Sequence, residues 1–141
     1  MADTYTINPD GSRAADPALV TYTHIIYALH ALSVLIGVTG PATIIGSFIF
    51  GLPSIIAVIM NYVRRRDVAG THLESHFAWQ IRTFWSALLW IVIAGLFSAP
   101  LILLFGLGIV TFYVAAIIIG LWVIYRVARG WLALRDGRGI A

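Results

Sequence analysis

From Phe84 to Tyr125 the chain carries no charged residue. A bilayer's hydrocarbon core takes about 20 residues of α-helix to cross, so this stretch is too long for one crossing and suits two. Composition agrees with a membrane as the solvent. The chain is 60% hydrophobic and 11% charged, with a mean hydropathy of +0.93; a soluble domain is nearer half apolar and about a quarter charged. The expected fold class is therefore all-α: an integral membrane protein of one domain.

Four transmembrane helices are predicted. The first covers about 17–38 and opens at Asp16-Pro17, an N-cap residue followed by proline at the first helical position. Gly37 to Pro41 provides a turn, and a second span follows over about 42–63. It contains Pro53, which removes one backbone hydrogen bond and is expected to kink the helix. Spans three and four cover about 84–104 and 108–128, turning around Phe105 to Gly108. The membrane domain is thus 17–135, with 136–141 as a C-terminal tail. Residues 1–16 are polar and lack the basic-then-apolar order of a signal peptide, so they are expected to be a mobile cytoplasmic N-terminus.

Before the third span lies an entry helix over 71–83. Thr71 and Glu74 have the spacing of a capping box, with Thr as the N-cap acceptor and Glu reaching back. At 100° per residue, His72, His76, Trp79, Thr83 and Ser86 fall on one polar stripe, flanked by Gln80. Leu73, Phe77, Ile81 and Leu88 occupy the other side, so a capped amphipathic helix leads into span three. Every basic residue of the chain is Arg. Arg64, Arg65, Arg66 and Arg82 lie between spans two and three, and span four leaves through Arg126 and Arg129, with Arg135 and Arg138 beyond. The positive-inside rule puts both termini in the cytoplasm and makes Arg64–Arg66, Arg82, Arg126 and Arg129 interfacial anchors. They flank apolar spans and form no basic stripe, which argues against nucleic acid as a partner.

Little chemistry is offered by the spans. They hold no Asp, Glu or Lys, so a proton pathway or an intramembrane acid–base pair has no residues to use, and no catalytic residue is assigned. His24 and His30 lie on the first helix, about 240° apart, and cannot share one metal from there. They read as packed or hydrogen-bonded side chains, at a depth that does not match His76 unless the central helix lies flat. His72 and His76, at i and i+4, share a face, but a structural zinc site takes four ligands and this segment offers two. No metal and no cofactor are assigned.

The run from Asn61 through Arg64-Arg65-Arg66-Asp67, then Glu74-Ser-His76-Phe-Ala-Trp-Gln80-Ile-Arg82-Thr-Phe-Trp85, resembles a group of small bacterial four-span membrane proteins of unknown function. Tyr125-Arg126 and Gly130-Trp131-Leu132 match the tail of that group, and the resemblance covers roughly residues 20–138. More distantly it is similar to the four-span protein-import component of the chloroplast inner envelope, with His76 and Gln80 as the shared core. His72 departs from the pattern, where an aromatic or apolar residue is more usual. The resemblance implies a multi-pass protein of the bacterial inner membrane and no reaction. The expected function is non-enzymatic: an accessory, assembly or translocation-related component whose partners are the lipid bilayer and other membrane proteins or itself. The alternative is a haem- or quinone-binding electron-transfer subunit using His24, His30 or His76. The stripe His72, His76, Gln80 and Thr83 either docks a partner or satisfies backbone groups of neighbouring helices, whose last carbonyls lack intrahelical donors.

Overall fold

The computed structural model describes residues 6–9, 11–39, 44–104 and 106–141, with backbone only for 38, 39 and 44–50. Gly40, Pro41 and Phe105, expected in the two turns, lie outside the described residues. The architecture is all-α, with four helices among the described residues: α1 (Pro17–Thr39), α2 (Ile44–Arg64), α3 (His72–Ile102) and α4 (Leu107–Arg135). Three of them, α1, α3 and α4, are long and apolar enough to cross a membrane. In α2 the described apolar stretch, Gly51–Arg64, is shorter.

Local chemistry sets the helix ends. The Asp16 carboxylate accepts from the Ala18 amide at 2.8 Å, directly before Pro17 opens α1. The Thr71 hydroxyl accepts from the Leu73 amide and donates to the Val68 carbonyl. Glu74 reaches back one residue further than a capping box requires and accepts from the Gly70 amide at 2.9 Å. From there α3 runs 31 residues as one helix, because no breaker lies between its first turn and Pro100 in its last. The 71–83 segment and span three are thus one rod. α2 likewise continues through Pro53.

α1 packs against α2 and α4, and α3 packs against α4. α4 extends seven residues beyond the predicted fourth span, to Arg135, since Arg129-Gly-Trp-Leu-Ala-Leu-Arg contains no residue that stops it. This last part is not a loose interfacial tail: Ala133 and Leu134 are buried, and Leu134 belongs to the core with Ile26, Tyr27, Leu73, Phe77 and Val127. At the end of α4, Gly137 takes φ +67°. Its amide donates to Leu134 and the Arg138 amide donates to Ala133, the paired bonds of a Schellman turn. The turn folds the tail back across the start of α3, where the Ile140 amide donates to the Ser75 hydroxyl.

Of the expected mobile arm, residues 6–9 and 11–16 are described, and they make specific contacts. Ile7 and Arg13 form an antiparallel bridge, and a turn with Gly11 at φ +81° lets Asn8 and Ser12 bond across it. The Arg13 amide donates to the Gly70 carbonyl and its guanidinium to the Asp67 carbonyl, so this segment is fastened to the α2–α3 loop. Backbone groups that the loop leaves without helical partners supply the acceptors.

Candidate functional site

The tail thus reaches the first turns of α3, and the segment before α1 fastens to the loop that precedes them. His76 lies in these first turns of α3 and is 0% exposed. Its Nε2 is 2.7 Å from the Arg138 carbonyl oxygen. A carbonyl only accepts, so Nε2 carries a proton and donates to it. Its Nδ1 is 2.9 Å from the Tyr27 hydroxyl, across a T-shaped ring pair. One imidazole thus ties α3 to α1 and to the tail of α4. Tyr27 is held flat for this by its neighbours. It stacks on Trp131 with rings 11° apart, and its ring lies directly against Gly130, where a Cβ would be only 2.8 Å from Cε1 and Cζ. Trp131 in turn donates its indole N–H to His24 Nδ1 at 2.9 Å.

His24 and His76 are thus linked through the Tyr27–Trp131 stack. His24 is two turns into α1 and His76 little more than one turn into α3, so the two histidines lie at similar distances from the starts of their helices, and the entry segment continues directly into α3. His30 is separate: its Nδ1 is 3.1 Å from the Ser54 hydroxyl on α2.

Trp79 and Thr83 of the stripe face α4. The Thr83 hydroxyl donates to the Trp79 carbonyl and accepts from Arg126 Nε at 2.8 Å, while the Trp79 indole donates to the Arg126 carbonyl. The Arg126 guanidinium carbon lies 3.6 Å over the Trp79 ring. Arg126 is therefore half-buried and turned inward, unlike exposed Arg64, Arg65, Arg66, Arg82 and Arg129. Gln80 is 2% exposed, and both of its amide atoms lack a hydrogen-bond partner among the described residues. The same holds for Asn61, which α2 turns inward together with Ala57 and Val58. Leaving such groups unpaired costs about 1–3 kcal/mol each, so the interior at this end carries polar capacity that the backbone does not use. His72 is half-buried, its ring 6.3 Å from that of His76. No group of three or more His, Asp or Glu side chains fit to hold a metal occurs among the described residues.

Tyr27, Asn61 and Trp131 were not placed in the site from the sequence, whereas Trp79 was placed on the stripe without a role. Asn61 had a usable signal, a carboxamide inside an apolar helix. For Tyr27 the signal is only conditional: a buried phenol needs a partner, but nothing in the local sequence says that it is buried. No protein-family model, no curated protein and no solved structure matches this chain.

Proposed function

We propose that the chain is a non-enzymatic protein of the bacterial inner membrane that crosses it four times, with both termini cytoplasmic, and binds other membrane proteins as an accessory, assembly or translocation-related component. The observation that carries this reading is the division of its surface. The polar stripe of α3 is turned inward, where His76, Trp79 and Thr83 bond to α1, α4 and the tail. The long faces of α3 and α4 carry Leu96, Phe97, Ile118 and Leu121 outward, all more than half exposed. Binding surface for a partner is thus offered by the apolar span faces. The stripe serves as the clasp that sets their arrangement.

Two further features support the membrane placement. α2 has 21 residues, close to the ~20 that a crossing needs. Arg64 to Arg66 lie at the end of α2, Arg82 lies early in α3, and Arg126 to Arg138 lie in the last turns of α4 and beyond it, so the basic residues share one end of the helices, as the positive-inside rule asks of the cytoplasmic face. The resemblance to small four-span bacterial membrane proteins points the same way. A haem-ligand role for His76 would require breaking one of its two interior hydrogen bonds.

Site-specific photocrosslinking in cells tests the partner-binding part. A photoreactive residue at Leu96 or Ile118 is expected to give adducts of discrete protein mass, and one at the core position Ile26 none. Lipid adducts alone at every outward position on α3 and α4 would sink the proposal.

A further inference from the structure

Three guanidinium groups converge on one indole. The Cζ atoms of Arg82, Arg126 and Arg129 lie 5.8, 3.6 and 5.5 Å from the Trp79 ring centroid. The ring's negative face offsets part of their mutual repulsion. No carboxylate does so: the ion pairs among the described residues are Arg64–Asp67, Arg135–Asp136 and Arg138–Asp136. Arg126 spends its Nε on Thr83, but its Nη2 is buried and has no hydrogen-bond partner among the described residues. This cluster of like charges, with one unused donor, meets no anion among the described residues.

The surroundings say what kind of anion. Of the three arginines, Arg129 lines an open cleft of about 480 Å³ between the end of α4 and the tail, which also includes Tyr125, Leu132 and Ile140, so a headgroup has room at that edge of the cluster. Leu89 lies seven residues beyond Arg82, two turns deeper on nearly the same face of α3, and is more than half exposed. Ile118 lies eleven residues before Arg129, three turns deeper on nearly the same face of α4, and is also more than half exposed. The charges thus stand at one end of exposed apolar helix faces on both α3 and α4. Guanidinium groups recognise phosphate oxygens through paired N–H donors, which suits a phosphodiester.

We propose that Arg82, Arg126 and Arg129, with Trp79 as their platform, form a binding site for the phosphate of an anionic phospholipid, whose acyl chain follows the α3–α4 groove. The site rests on the membrane reading above but not on the partner reading or on the number of spans.

The test is a lipid titration of the detergent-solubilised full chain, read by native mass spectrometry. Phosphatidylglycerol and phosphatidylcholine with identical acyl chains are compared, with inorganic phosphate as competitor. Each basic side chain near an anionic headgroup contributes about a five-fold change in affinity. Arg82→Gln and Arg129→Gln are each expected to weaken phosphatidylglycerol binding about five-fold, and the pair about 25-fold. Arg82→Lys should retain most of the binding, and Arg65→Gln, which removes the same charge from the exposed loop, should leave it unchanged. The chosen Arg82 and Arg129 side chains are exposed, so folding is expected to survive; unchanged melting temperatures would verify that. Three results would overturn the site: equal binding of phosphatidylcholine, an equal loss in Arg65→Gln, or displacement of the lipid by millimolar inorganic phosphate alone, which would assign the site to the free anion.

Discussion

Gly130→Ala is the sharpest structural perturbation that the clasp allows. The added Cβ would meet the hydroxyl, Cε1 and Cζ of Tyr27, the carbons at 2.8 Å, with the ring fixed on its far side by packing against Trp131 and His76. Overpacking of this kind costs about 1–3 kcal/mol. If the ring moves to relieve it, the Tyr27–His76 hydrogen bond is lost, a further ~1 kcal/mol. Opposing both is the helix-propensity gain of Ala over Gly, about 1 kcal/mol. The expected net destabilisation is about 1–3 kcal/mol. Gly37→Ala supplies the internal control, since its Cβ meets nothing within 4 Å in α1 and should be neutral or mildly stabilising. Unfolding of the purified protein in mild detergent, by SDS titration, measures both. In a Tyr27→Ala background the cost of Gly130→Ala should vanish. Equal stability of Gly130→Ala and Gly37→Ala, or a cost that persists without the Tyr27 ring, would refute the close approach.

Three other outcomes follow from the same geometry. His76→Ala removes two interior hydrogen bonds and a buried ring, and should cost about 2–4 kcal/mol in the same unfolding assay. Gly137→Ala forces a Cβ into φ +67°, a penalty of about 1–2 kcal/mol, and should make the chain beyond Asp136 more sensitive to carboxypeptidase. For the proposed topology, a cysteine at Leu103 should react with an impermeant thiol reagent added to intact cells, and one at Ala69 should not; the reverse pattern would invert the orientation.

What could be read from the sequence was whatever the solvent or a short-range pattern dictates. Asp16-Pro17 and Thr71 start helices because capping involves neighbours only two residues away. The uncharged run from Phe84 to Tyr125 fixes two long apolar helices by composition alone. The clasp was illegible because its partners come from far along the chain: Tyr27 and His76 are 49 residues apart, and His76 and Arg138 are 62. The stripe on α3 was visible as a face, but spacing cannot say whether a polar face points to solvent, to a partner or to another helix. Gly130 gave no local sign of its role, which exists only where an aromatic ring from α1 lies against it. The N-terminal segment looked free because its polarity was legible and its acceptors, on the loop before α3, were not.

The central claim is that His76 closes the molecule on itself, and the imidazole's own nitrogens report on it. With ¹⁵N-labelled histidine in the intact protein, the prediction is a His76 ring protonated at Nε2, with that proton protected from exchange with water and with an Nδ1 signal that shifts on Tyr27→Phe. A ring protonated only at Nδ1, or one exchanging freely with water and indifferent to Tyr27→Phe, would contradict it.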